Sequence, residues 1–167
     1  AYSSVAVSNG RIFTQGNIDG VGRILCLDPN DGSVIWSVKS PTETSEFKHG
    51  KGDGARGTPT VDGGFVYIEG GGGDIACLNA LTGDVVWSKH LITDFGGSRP
   101  GWGFSESPLI DGNRVIVTPG GKDGLIAVLD KTTGDLLWRS ADVVDKAHYC
   151  SAIVIESQGV RQIVTFT

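Results

Sequence analysis

Apolar residues along this chain come in short runs, four to six long, cut apart by polar turns that contain glycine. The runs at 24–27, 75–78 and 125–129 each lead through a four-residue turn into a second apolar run that ends in tryptophan. Earlier runs at 4–7, 58–61, 107–110 and 151–154 are followed by turns such as Asn9-Gly10, Asp62-Gly63-Gly64, Asp111-Gly112-Asn113 and Gln158-Gly159. Partner runs then follow at 11–13, 65–68, 114–117 and 162–164. Short runs bounded by turn residues are the mark of strands, and no stretch shows the 3.6-residue apolar period of an amphipathic helix. The prediction is four short antiparallel strands per unit, joined by tight turns.

The units repeat. Trp36, Trp87 and Trp138 are spaced 51 residues apart, as are Gly32, Gly83 and Gly134, and as are Asp28, Asn79 and Asp130. A side-chain oxygen at the first turn position caps the backbone two residues on, and glycine supplies the positive φ that closes the loop. Pro29 suits the opening of the first turn because its φ is already set. A period near fifty residues points to a propeller or a solenoid. Burying an indole removes about 150–250 Å² from water, worth roughly 4–6 kcal/mol before entropy is subtracted. The three repeat tryptophans therefore read as structural.

These segments resemble the pyrroloquinoline-quinone (PQQ) repeat, whose signature is roughly Ala-x-Asp-x-x-Thr-Gly-x-x-x-Trp. Residues 77–87 match with Asn79 in place of Asp, 128–138 match as well, and 26–36 lack only the Thr. Kelch repeats have a similar length and share double glycines such as Gly70-Gly71 and Gly120-Gly121, but the turn-to-Trp offset fits the quinone-type repeat better. WD repeats are shorter, at about 40–45 residues. The resemblance implies an all-β fold, a β-propeller of four-stranded antiparallel blades. It also implies that the Trp of each blade wedges against the next. Propellers close with about 4–8 blades, the resembled family near the top of that range. The expected division is a partial propeller over 1–167, with blades at 1–40, 57–92 and 106–141 and part of a fourth at 149–167. Such a partial ring, together with the absence of Met, leads to the expectation of an interior part of a longer, exported protein. The remainder of its propeller or another chain would complete the ring.

Composition narrows the partners. Gly makes up 26 of 167 residues, as turn-dense β chains require, and net charge is −5 with no basic run. Nucleic acid and anionic membranes are poor partners for such a surface. No run approaches the about 20 apolar residues of a spanning helix. Cys26 and Cys77 share one repeat position with Val128, which marks an ordinary buried site. Equivalent strands of adjacent blades are too far apart for a disulfide, and Cys150 stands elsewhere. Adjacent cysteines, found near the cofactor in quinoprotein alcohol dehydrogenases, are missing from this chain.

Candidate chemistry falls in the connections between blades, at 38–57, 90–106 and 140–149, which differ most among the units. They carry Lys48, His49, Lys51, Asp53, Arg56, Asp94, Arg99, Trp102, Glu106, Lys146, His148 and Tyr149. Loops this long are usually functional or mobile. Aligning the inner strands on Ser4, Thr58, Ser107 and Ser151 brings Tyr2, Arg56, Glu106 and Tyr149 to one rim of the channel, with Trp102 and His148 beside them. A cation, a carboxylate and flat rings suit an anionic or carbonyl-bearing planar ligand, or a peptide terminus. Arg56 and Glu106 equally fit a brace between blades. His49, His90 and His148 lack metal-ligand spacing. The glycine runs at 70–73 and 120–124 sit between second and third strands, like 16–20 in the first unit, and read as hairpin turns. The resemblance implies three possible functions: a binding or scaffold propeller at the bacterial periplasm or cell surface, a PQQ-dependent dehydrogenase holding the quinone with calcium, or a structural element of a surface assembly. No catalytic residue is recognisable, so binding of a protein partner leads.

Overall fold

The computed structural model describes residues 2–41 and 53–167, so Lys48, His49 and Lys51 lie outside the described residues. Fourteen strands form among the described residues, and every pairing is antiparallel between chain neighbours. The first sheet comprises β1 (Ala6–Ser8), β2 (Arg11–Ile18), β3 (Val21–Leu27) and β4 (Val34–Lys39). The second comprises β5 (Thr60–Asp62), β6 (Phe65–Glu69), β7 (Asp74–Asn79) and β8 (Val85–His90). The third comprises β9 (Leu109–Asp111), β10 (Arg114–Val117), β11 (Ala127–Asp130) and β12 (Leu136–Arg139). A two-stranded sheet of β13 (Ile153–Ser157) and β14 (Val160–Val164) follows. These are the blades of an open, partial β-propeller.

The period-2 alternation of a strand sends neighbouring side chains to opposite faces, and so each middle sheet feeds two cores. From β6, Val66 and Ile68 join Phe13, Ile24 and Cys26 of the first sheet, while Tyr67 joins Val115, Val117 and Leu129 of the third. A smaller core of Ile116, Val128 and Ala152 lies between the third and fourth sheets.

The outer turns form as their residues dictate. Asp28 Oδ1 accepts the Asn30 N–H at 2.8 Å, Asn79 Oδ1 the Leu81 N–H at 2.8 Å, and Asp130 Oδ1 the Thr132 N–H at 2.8 Å. Gly32, Gly83 and Gly134 close the turns at φ of +74°, +80° and +74°. In each of the three four-stranded sheets the register then slips by one residue, so that Cys26, Cys77 and Val128 pair with Trp36, Trp87 and Trp138 across a bulge. Trp36 Nε1 donates to Ala80 O of the next sheet at 3.1 Å, and Trp87 Nε1 to Lys131 O at 2.9 Å. The rings pack directly against the next glycine, since a Cβ added to Gly83 would stand 2.9 Å from Trp36 and one on Gly134 2.7 Å from Trp87. Trp138 is different. It is 51% exposed and lines an open groove of about 550 Å³ with Leu137, Ile116 and Ile163.

Two details depart from the sequence reading. The inner strands start two residues later than their apolar runs, at Ala6, Thr60, Leu109 and Ile153. Pro59 and Pro108 have no N–H to give a ladder, and the residues before them bond sideways instead. The Thr58 N–H donates to Ser107 Oγ at 3.0 Å and the Ser107 N–H to Ser151 Oγ at 2.9 Å, which strings the inner strands together. The glycine run at 120–124 is also more than a hairpin turn. Gly120 bridges to Lys146 and the Gly121 N–H donates to Asp145 O at 2.7 Å, so the run pins the following loop. A Cβ on Gly120 would meet the Ala147 nitrogen at 2.2 Å, which explains the glycine.

Gly63 and Gly134 both sit at positive φ, +59° and +74°, yet only Gly134 lies against a tryptophan. Gly63→Ala should cost about 1–2 kcal/mol for the left-handed conformation alone. Gly134→Ala should cost about 1–3 kcal/mol more, the expense of forcing a methyl into a packed site. Trp87→Ala should lose about 3–5 kcal/mol, and Trp102→Ala much less. Denaturant unfolding of the four proteins checks this; equal losses for the two glycines would contradict the wedge.

Candidate functional site

Each inner strand starts, and each outer strand ends, at the same end of its sheet, so the long connections collect on one rim. There the Arg56 guanidinium stands 4.9 Å from the centre of the Tyr2 ring, and the Tyr2 N–H donates to Ala55 O at 3.0 Å. Trp102 is reached through a turn in which the Gly103 N–H returns to Pro100 O at 2.9 Å. Its own N–H donates to the Tyr149 hydroxyl at 3.1 Å. Arg56, Trp102, Ser105 and Tyr149 line an open groove of about 430 Å³. Tyr2, Trp102 and Tyr149 all remain substantially exposed. Four of the residues aligned from the sequence thus meet on one surface. Two do not. His148 is exposed but is not part of the groove's lining. Glu106 is buried, and its Oε1 accepts both the Thr118 N–H, at 2.9 Å, and the Thr118 hydroxyl. His90 is occupied in its own loop, accepting the Ile92 and Thr93 N–H groups at Nδ1, each at 3.3 Å.

Behind the groove lies a buried polar layer. Gln15, Glu69 and Thr118 hold equivalent positions, Gln15 within β2, Glu69 as the last residue of β6 and Thr118 one residue beyond β10. Gln15 Nε2 donates to Gly57 O at 2.8 Å and to Glu69 O at 2.9 Å, joining the first sheet to the second. Asp74 accepts the Ser40 hydroxyl across the same seam. Both carboxylate oxygens of Glu69, Oε2 of Glu106 and Oδ1 of Asp74 are buried without a hydrogen-bond partner. Burial disfavours a charged carboxyl. It pushes Glu69 well above the usual range, with the charges of Glu106 and Asp74 adding to the effect. Burial likewise pushes Glu106 up to about 7 against the pull of its Thr118 bonds, and raises Asp74 against the pull of Ser40. The sequence reading missed this layer. Its one signal was a polar residue at the same repeat position of three units. Among the described residues no three His, Cys, Asp or Glu side chains converge as metal ligands.

Comparisons with known proteins agree with the fold. The family model described as outer membrane protein assembly factor BamB matches residues 20–167. The outer membrane protein assembly factor BamB of Escherichia coli is 21% identical over 127 residues, 75% of this chain and 29% of that protein. Among solved structures, the quinohemoprotein alcohol dehydrogenase from Comamonas testosteroni superposes with a TM-score of 0.61 at 22% identity, over 82% of this chain and 20% of its own. BamB from Moraxella catarrhalis superposes at 0.55 and 21% identity, over 82% of this chain and 35% of its own. The chain spans less than a third of the curated relatives it matches. No helix of the described residues is long and apolar enough to cross a membrane.

The buried acids make stability depend on pH with a definite sign. A carboxyl whose folded pKa lies above its unfolded value holds its proton more tightly in the folded state. Its contribution is complete below the ordinary value of 4.5 and is lost as pH rises through about 7. Stability should therefore fall by on the order of 2 kcal/mol from pH 5 to pH 8 as these acids give up their protons. Glu106→Gln and Glu69→Gln should each flatten that limb. Unfolding midpoints measured across the range check this, and an unchanged slope in both variants would refute it.

Proposed function

This chain belongs to the PQQ-like β-propeller family described as outer membrane protein assembly factor BamB, and on that premise we propose that its work is binding. The reading is a non-catalytic scaffold propeller of an exported bacterial protein, at the periplasm or cell envelope, gripping a protein partner with the loops on one rim. The observation that carries it is the groove of Arg56, Trp102, Ser105 and Tyr149, with Tyr2 beside it. Exposed aromatic rings set around an arginine are the composition that concentrates binding energy at protein interfaces. The relatives named as assembly factors support the same reading.

The likeness to quinohemoprotein dehydrogenases raises PQQ with calcium as a second occupant. Arg56 and the flat rings suit a planar ligand bearing carboxylates. The calcium half does not fit the described residues: Glu69, Asp74 and Glu106 are buried behind the rim, and no three acidic or imidazole side chains converge.

A photo-crosslinking residue at position 102 of the longest natural form of the protein, in its own cells, should give one discrete adduct. The same residue at position 81, exposed in the outer turn at the other end of the second sheet, should give none. Arg56→Ala should reduce the adduct about tenfold, the equivalent of 1.4 kcal/mol, with melting unchanged. Adducts equal at both positions, or a quinone absorbance retained after dialysis against calcium buffer, would overturn the reading.

A further inference from the structure

The two ends of the sheets differ in charge. The outer turns at 28–33, 79–84 and 130–135 lie at the end away from the rim and hold Asp28, Asp31, Asp84, Asp130 and Asp135. Their one cation, Lys131, is paired with Asp62. Around the groove the pattern changes. Its lining of Arg56, Trp102, Ser105 and Tyr149 bears one full charge, the guanidinium. Arg99 and Lys146 are exposed on the loops that supply Trp102 and Tyr149. Of the carboxyls on the connecting loops, Glu106 is turned in to Thr118, Asp94 accepts the His90 N–H at 2.8 Å and Asp145 the Lys146 N–H at 2.7 Å. Asp53 and Asp142 are exposed outside the lining. A protein of net charge −5 thus keeps a cationic groove on its rim.

The groove is also built before a partner arrives. Phe104, buried two residues after Trp102, gives its N–H to Gly71 O at 3.0 Å, and a Cβ on Gly73 would stand 2.9 Å from its ring. The Trp102 N–H is held by the Tyr149 hydroxyl of the next loop. A preformed surface spends little on ordering itself when it binds. We propose that this groove selects an acidic segment of its protein partner. Arg56 holds a carboxylate of that segment, and an apolar or aromatic side chain beside the carboxylate packs on Trp102 and Tyr149. A guanidinium over a ring, as Arg56 lies over Tyr2, still presents a planar fork of N–H donors that matches the two oxygens of a carboxylate. Arg99 and Lys146 draw the same charge toward the rim, while the aspartates of the outer turns repel it from the far end. The proposal names the partner's chemistry for the surface described above and rests on that surface being the one that binds.

Three blocked pentapeptides serve as probes: a phenylalanine flanked by two aspartates, by two asparagines or by two lysines. They are titrated into the longest natural chain while the Trp102 indole N–H resonance, identified by Trp102→Phe, is followed. The aspartate peptide should shift it and bind about tenfold more tightly than the asparagine peptide, with the lysine peptide weakest. That preference should shrink as salt rises from about 20 to about 200 mM. Arg56→Lys, which keeps the charge but loses the fork, should weaken the aspartate peptide, and Arg56→Glu should reverse the order. Equal binding of the three peptides, no shift with any of them, or a preference that survives Arg56→Glu would overturn the proposal. Should a variant not fold, the aspartate-to-asparagine ratio and its salt dependence in the unmodified protein decide. Crosslinking at position 102 fails if the rim is not the binding surface. A discrete adduct without an acid preference leaves that reading standing and sinks this one, so the two failures are distinct.

Discussion

One contact repeats at every completed seam of this protein: a tryptophan ring laid over the glycine of the next turn, with its Nε1–H given to a carbonyl in that turn. Everything else accommodates it. The turn must end in glycine because the ring leaves no room for a Cβ. The strand must carry a bulge before the Trp, because the register slip sets which residue faces Cys26 or Cys77. Ring and glycine lie on different sheets, and the contact holds although the inner strands of those sheets start at unequal intervals, at Ala6, Thr60 and Leu109. Hydrophobic burial supplies most of the adhesion, and the N–H bond keeps the indole from desolvating its one polar atom unpaired.

Around that wedge the seams use polar contacts of a second kind. Arg11 donates to Ala80 O and Leu81 O at 3.2 and 2.9 Å, Lys131 pairs with Asp62 at 2.6 Å, and Arg161 pairs with Asp111. The Arg161 and Asp62 ends of these pairs remain in contact with water, and ion pairs of that sort contribute about 0–1 kcal/mol each. They steer alignment more than they add stability. The buried acids are a third case. Glu69, Glu106 and Asp74 oppose folding at neutral pH by being where they are. A seam that tolerates them is not built for maximum stability.

Much of the fold was legible in the sequence because the wedge is local in its grammar. Asp or Asn, then Gly, then Trp at fixed offsets specify a turn, a positive φ and a packed ring, and each is decided within ten residues. The inner-strand starts were less legible, since Pro59 and Pro108 send the preceding N–H groups sideways to Ser107 and Ser151, residues of other sheets. The rim was half legible. Aligning repeats brought Tyr2, Arg56, Trp102 and Tyr149 together, but alignment says where a residue starts and not which way it turns. Glu106 turned inward to Thr118 twelve residues on. Glu69 and Asp74 were hidden because a carboxyl among apolar neighbours reads as a strand residue facing water until a second sheet is seen to cover it.

The seam contact has a direction: each blade offers a ring forward and a glycine turn backward. Such an interface is heterologous, as in a filament, and whether it makes a ring or a helix depends only on whether successive rotations close. Blade number in this family is therefore a property of an angle, set by how far an indole and its neighbours hold two sheets apart, and a change in the thickness of that one wedge alters the curvature of the whole.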